Sequence, residues 1–510
     1  MIKVSTRPQS AGLSEADCPL EKGKRLMTVR GASLVFVAGA AAAALVTAPA
    51  SAAPAASGIK WAECAPELGA PRGTGCATID VPLDYAQPSG KQIKLTLSAA
   101  GSLDAPDVLV VNPGGPGQSG IGTAKLISSS MPPELRDKYL VVSFDPRGVG
   151  ASAPVNCGDT SGLFPHPMPP NKPANAETEE QRVSIARNIA AACAQHAGDL
   201  LPHITTQNAA RDMDRIRLAL GKSKLDYLGY SYGTKLGATY VTMFPATSGR
   251  MVLDSVVDPT LSDYQMGFQQ NPALQRRAGQ FFAWTAASDS QYHLGTSGED
   301  VGRTWNDVRA ELAAHPAAGK VGGAELDDML ASAMYVEASW SSLADAVARH
   351  RKGDSSGLIT VVGNLGMDHV DGPLLAYNCV DEKWPADWRT WHDDTVRSDR
   401  GAPLFAWLNT WYSAPCAFWK APTAPPMRIG AGKTPPVLLV QAKDDGATPA
   451  EGARHMQQAL RGSRLVLADS GNHGQFLFDR NPCVDKPVAD YLLTGKLPDA
   501  DVRCPAPPNP

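Results

Sequence analysis

The sequence predicts an α/β protein with a mostly parallel central sheet and a largely helical segment inserted between two late strands. Three observations predict it. Short aliphatic and β-branched runs alternate with helical periodicity over residues 77–258 and again over 436–493, as strands joined by crossover helices do. From Pro259 to about Pro426 strand signal fades, and nine of the ten tryptophans fall there. A glycine-flanked serine sits at a strand-to-helix junction in the first half.

The elements follow in order. Lys22, Lys24, Arg25 and Arg30 precede an apolar run from Leu34 to Val46, which ends in Ala-Pro-Ala-Ser-Ala-Ala. A basic stretch, a short apolar stretch and small residues make an export signal over residues 1–52, cleaved after Ala52 or Ala53, with Met27 as an alternative start. The apolar run is shorter than the roughly 20 residues of a membrane span, so no stable insertion is expected. Strands are expected at 77–85, 93–99, 108–112, 139–144, 225–229, 250–254, 436–441 and 464–468. Helices are expected at 179–196, 208–220, 231–244, 449–460 and 487–493; in the second, Ala209, Met213, Ile216 and Leu220 recur at helical spacing. The domains are then a core over 53–258, a helical cap over 259–426, and the rest of the core over 427–510.

Composition narrows the function. Hydrophobic residues are 43% and charged residues 19%, which excludes a disordered chain. A net charge of −4 gives no broad positive field, so nucleic acid is not an expected partner. Eight cysteines follow the export signal, an even count that suggests disulfides in an oxidising compartment. Pairing of chain neighbours is expected on topological grounds: Cys64–Cys76 at the entry to the first strand, Cys157–Cys193 around one excursion, Cys379–Cys416 within the cap, and Cys483–Cys504 tying down the tail. No CxxC or HExxH spacing occurs, so no metal is expected.

The serine carries the chemistry. Gly229-Tyr230-Ser231-Tyr232-Gly233 lies between a short apolar strand and a helix, the setting of a nucleophile elbow in an α/β-hydrolase fold. Small flanking residues make room for the strained turn, and the helix directs its positive end toward developing negative charge. A second loop, from Asn112 to Gly120, has two readings. Gly115, Gly117 and Gly120 satisfy GxGxxG, a dinucleotide fingerprint, yet Pro116 removes an amide from the loop. The other reading is an oxyanion loop in which Gly114 and Gly115 act with the Tyr232 amide. No organic cofactor is then called for.

Acid and base follow in the order Ser, Asp, His. Of the later histidines only His473, in Ser470-Gly471-Asn472-His473-Gly474, sits in a turn after a late strand. The acid belongs to Lys443-Asp444-Asp445-Gly446-Ala447-Thr448-Pro449, where Thr448 and Pro449 read as a helix cap and first helical position. Asp445 is the choice, with Asp444 its alternative.

These residues resemble the secreted actinobacterial tripeptidyl aminopeptidases, α/β-hydrolases similar to prolyl iminopeptidases. The resemblance runs from about Ile59 to Cys504. It rests on Ile79-Asp80-Val81-Pro82-Leu83-Asp84-Tyr85, the Asn112–Gly120 loop, Phe144-Asp145-Pro146-Arg147-Gly148-Val149-Gly150, Ala209-Ala210-Arg211-Asp212-Met213-Asp214, the Gly229–Thr234 elbow, Val252-Leu253-Asp254, Thr448-Pro449 and the Gly471–Gly474 turn. It implies an exported serine exopeptidase that releases short peptides, tripeptides among them, from free amino termini. A free amino terminus calls for a carboxylate near the acyl pocket; Asp258, Glu337, Asp381 and Glu382 are the candidates. The same residues would serve a carboxylic-ester hydrolase, and a non-catalytic surface binding protein is the reading outside enzymes. A monomer is the expected state.

Overall fold

The computed structural model describes residues 58–365 and 370–507; the export signal expected over residues 1–52 lies outside them. Ten strands form one sheet: β1 (Ala62–Glu63), β2 (Gly75–Pro82), β3 (Gln92–Ala100), β4 (Asp107–Asn112), β5 (Tyr139–Phe144), β6 (Leu225–Tyr230), β7 (Ser248–Asp254), β8 (Leu438–Ala442), β9 (Arg464–Ala468) and β10 (Val502–Cys504). The spatial order is β1-β2-β3-β5-β4-β6-β7-β8-β9-β10. The pairs β1·β2, β2·β3 and β3·β5 are antiparallel, and all later pairs are parallel. This is the α/β-hydrolase fold.

Helices cover both faces of the sheet. They are α1 (Thr123–Ser130), α2 (Pro133–Lys138), α3 (Ala176–Ala197), α4 (Thr206–Ala219) and α5 (Tyr232–Met243) before the insertion. After it come α15 (Ala450–Ala459) and α16 (Pro482–Thr494). Val110 and Val142 point into the layer with α4 and α5, whereas Leu109, Val111 and Val141 meet Ile127, Leu135, Val484 and Val488 on the other side. Strands buried on both faces must be apolar at every position, which is why they read as continuous aliphatic runs. Each such side chain withdrawn from water is worth about 1.5–3 kcal/mol.

Two helices and two strands lacked a sequence signal. The α1 sequence Thr-Ala-Lys-Leu-Ile-Ser-Ser-Ser is poor in helix formers, and burial of Ala124 and Ile127 holds it. α2, β1 and β10 are short. One local expectation is corrected. Helix α15 begins at Ala450 with Pro449 as its cap, while the Thr448 hydroxyl is spent on Asp445.

Between β7 and β8 the described residues form helices: α6 (Asp263–Ala287), α7 (Asp289–Tyr292), α8 (Gly298–Ala314), α9 (Gly323–Ala333), α10 (Trp340–His350), α11 (Ser356–Leu365), α12 (Gly372–Asp381), α13 (Trp388–Asp399) and α14 (Ala406–Ser413). This helical cap has two layers. The outer layer has its own apolar cluster, including Phe281, Trp305, Leu330, Trp340 and Val347. The inner layer joins the main core through Leu375, Tyr377, Trp384 and Trp391. Helix α3 and the segment before it pack with this cap: Trp388 and His392 bond to Glu179 of α3, and Trp411 Nε1 donates to the Asn171 carbonyl.

The eight cysteines pair as chain neighbours: Cys64–Cys76, Cys157–Cys193, Cys379–Cys416 and Cys483–Cys504. Among the described residues no helix is long and apolar enough to cross a membrane.

Candidate active site

Ser231, Asp445 and His473 follow strands β6, β8 and β9, at the carboxyl ends of a parallel array, where open α/β sheets place their sites. Ser231 occupies φ 57°, ψ −124° between β6 and α5. A non-glycine residue there is strained and must be held by its surroundings. Its amide donates to the Asp254 carbonyl at 2.9 Å, and its carbonyl accepts from Thr234. A Cβ on Gly229 would lie 2.4 Å from the Gly233 carbonyl oxygen, so the elbow closes only with glycine at that position.

The acid loop delivers Asp445 rather than Asp444. Asp445 is 1% exposed and accepts from the Ala447 and Thr448 amides and from the Thr448 hydroxyl. Its Oδ2 lies 2.9 Å from His473 Nδ1. Asp444 takes the Gln280 side-chain amide instead. The histidine loop is fastened from below. Gly474 N–H donates to Ser255 Oγ at 2.7 Å, and the Gln475 and Phe476 amides donate to the Asp254 carboxylate. It is also fastened from the cap: His473 N–H donates to the Tyr335 carbonyl at 2.7 Å, and the Tyr335 ring meets the imidazole edge-on at 5.2 Å. Burial, with the Asp445 charge, pushes the Tyr335 phenol up to about 12, so it stays protonated.

The glycine-rich loop lies beside the serine. Asn112 Oδ1 accepts the Gly114 amide at 3.0 Å. That corrects one expectation: Gly114 spends its amide inside the loop. What it supplies is space, since a Cβ there would lie 2.6 Å from the Tyr230 carbonyl oxygen and 2.9 Å from Ser231 Cβ, at φ +101°. The Gly115 amide makes no hydrogen bond among the described residues, and Tyr232 is the first residue of α5, where amides lack helical partners. The Tyr232 ring is fixed. Thr206 spends its hydroxyl proton on Asp381, so the Tyr232 hydroxyl donates to Thr206 Oγ1, at 2.6 Å.

The four carboxylates expected near a substrate amino terminus are scattered. Asp258 is buried and engaged by Thr260 and by His455 Nδ1 at 2.7 Å; these bonds outweigh burial and hold its pKa below the ordinary range. Asp381 and Glu382 join Asp263 around Lys235, one helical turn beyond Ser231. Burial raises both carboxyls against the pull of Lys235. Glu337 stands apart from that group and beside the histidine loop: its amide donates to Asn472 Oδ1 at 2.8 Å, and its carboxylate pairs with Arg277 at 3.1 Å. Thr448 stood in the sequence only as a helix cap and Asn112 only as the start of its loop, and Thr206 carried no local signal.

Comparison with known proteins gives the family. Residues 402–504 match the family described as TAP-like protein. The chain is 40% identical over 466 residues to a tripeptidyl aminopeptidase of Streptomyces lividans, covering 88% of this chain and 87% of that one. It is 32% identical to carboxylesterase B of Mycobacterium tuberculosis, over 84% and 86% of the two chains. It is 29% identical to the serine protease Hip1 of the same organism, over 88% and 91%. With this identity over nearly the full length of both chains, the protein belongs to the tripeptidyl aminopeptidase family of α/β-hydrolases and is a serine hydrolase.

Proposed function

We propose that the protein is an exported serine exopeptidase that releases short peptides, tripeptides among them, from free amino termini. The observation that carries the hydrolytic part is the buried Asp445–His473 hydrogen bond, built at the same sheet end as the strained Ser231 elbow, and the 40% identity to a tripeptidyl aminopeptidase supports the exopeptidase part. In the reaction His473 Nε2 takes the Ser231 hydroxyl proton as Oγ attacks the scissile carbonyl. Asp445 fixes the imidazole tautomer and stabilises its charged form. The Tyr232 and Gly115 amides receive the oxyanion, each such donor worth about 3 kcal/mol. The imidazolium then protonates the leaving amine, and water, activated by the same imidazole, hydrolyses the acyl-enzyme. Residues 259–426 act as the cap in which the substrate's amino end is read.

A free ammonium is drawn to surplus negative charge. Asp263, Asp381 and Glu382 set three carboxylates against the one ammonium of Lys235. The Asp381 and Asp263 side chains are 6% and 9% exposed, so Glu382, whose side chain is 28% exposed, is the member that can meet substrate. Export is supported by the four disulfides and by the leader sequence. The second reading, a carboxylic-ester hydrolase, draws on the carboxylesterase relative. One panel decides between them: a tripeptide amide with a free amino terminus, its acetylated form, and short acyl esters. The exopeptidase reading requires the free amine to be strongly preferred; equal rates on the first two, or preference for the esters, would overturn it.

A further inference from the structure

Helix α6 opens the cap, and one stripe of it lies on the acid loop. Gln270, Leu274 and Arg277 are spaced i, i+4, i+7, so they share a face. Gln270 Nε2 donates to the Ala447 carbonyl at 2.6 Å. A Cβ on Gly446 would lie 3.0 Å from Leu274 Cδ2 and 3.2 Å from Arg277 Cγ. One turn on, Gln280 reaches Asp444. The acid loop therefore rests on the cap over its length.

Arg277 reaches further, to the histidine loop. A Cβ on Gly471 would fall 2.2 Å from Arg277 Nη1 and 2.3 Å from Cζ. Neither Gly446 nor Gly471 has positive φ, so what these positions require is the absence of a side chain. The guanidinium is 2% exposed and stacks 4.7 Å above the Trp340 ring, and its Nη1 donates to Gln280 Oε1 at 2.6 Å and to Glu337, whose backbone amide holds Asn472, at 3.1 Å. Its Nε and Nη2 find no acceptor among the described residues. A buried charge so sparingly paired costs stability. It touches both the turn after Asp445 and the turn before His473.

We propose that Arg277 is a positioning residue for catalysis, holding the Asp445 and His473 turns in register from the cap side, with Glu337 as its counter-charge. The proposal rests on Asp445 and His473 being acid and base. Arg277 touches no reacting atom; it sets the separation of two groups that do. Its loss should therefore show in kcat rather than in KM.

The test uses the full mature chain with Arg277→Met, Arg277→Lys, Glu337→Gln and Ser231→Ala. The readouts are kcat and KM on a free-amino tripeptide amide and the rate of fluorophosphonate labelling. Arg277→Met should lower kcat and labelling together by about 10- to 100-fold, with KM nearly unchanged, because a small misplacement of catalytic groups costs that much. Arg277→Lys should recover part of the loss. Glu337 is half-exposed, so Glu337→Gln keeps the test open if Arg277→Met does not fold; it should lower kcat in the same way. Unchanged kcat in the folded variants, or a change confined to KM, overturns the proposal. Full activity in Ser231→Ala would instead sink the reading on which it rests, and the proposal with it.

Discussion

Ser231 and Asp254 are joined through the main chain: the Ser231 amide donates to the Asp254 carbonyl at 2.9 Å. The Asp254 side chain meanwhile accepts the amides of Gln475 and Phe476, just past His473. One residue at the end of β7 thus ties the elbow to the histidine loop. Burial pushes its carboxyl up to about 7, against the pull of those donors. An unfolded carboxyl titrates near about 3.9. The native state therefore keeps a proton that the unfolded chain has released. That contribution to stability is full below about pH 4 and is lost as pH rises through about 7. Asp254→Asn removes the titration, so melting temperatures compared across this range should fall less with pH in the variant. Parallel wild-type and variant profiles would reject the assignment.

The proposed triad gives a non-additive pattern. Ser231→Ala, His473→Ala and Asp445→Asn should each lower kcat by roughly 10³- to 10⁶-fold, and the Ser231→Ala/His473→Ala double variant should be little worse than either single. Asp444→Asn should keep most activity, since its carboxylate meets Gln280 and not the imidazole. If Asp444→Asn proves the damaging change, the acid moves there.

A second buried pair should govern stability alone. Arg147 Nε and Nη2 donate to the two carboxylate oxygens of Asp212 at 2.7 and 2.6 Å, and both side chains are fully buried. Asp212→Ala strands the guanidinium, so unfolding free energy should drop by about 3–5 kcal/mol. Denaturant titration measures this; a loss below about 1 kcal/mol would be that of an exposed pair.

The disulfides predict a digest and a melt. Non-reducing peptide mapping should recover four linked pairs, with Cys379 joined to Cys416. The paired Cys379→Ser/Cys416→Ser variant opens a link across 37 residues, which the chain-entropy model values at about 4 kcal/mol. A cross-link from Cys379 to another cysteine, or an unchanged melting temperature, would contradict it.

Much of this was legible because the chemistry is local. Ser231 announces itself through glycines on either side, and His473 through its turn. The motifs also converge: half-buried Tyr85 meets the buried Arg147–Asp212 pair, the three coming from separate motifs. The cap was not legible in this way. Gln270, Leu274 and Arg277 read as any helix face, because the turns they support lie far along the chain. Asp258 drew notice by its place at the cap entrance, yet its partner His455 sits on α15, and no local pattern links the two.

The inner cap layer has a further consequence. Asp381 accepts from Thr206, the Tyr377 hydroxyl donates to the Arg147 carbonyl, and Gly117 has no room for a Cβ against Leu374. Helix α12 is thus fixed to three separate parts of the scaffold, and the Cys379–Cys416 bond carries that anchorage to the turn after α14. The outer layer closes its own apolar cluster and, away from the Arg277 stripe and the Tyr335–Glu337 segment, owes the chemistry little. Selection can therefore work on the two layers separately. Drift in α7, α8 and α11 leaves the contacts to the acid and histidine loops in place, while the inner layer changes only at the expense of the whole catalytic frame.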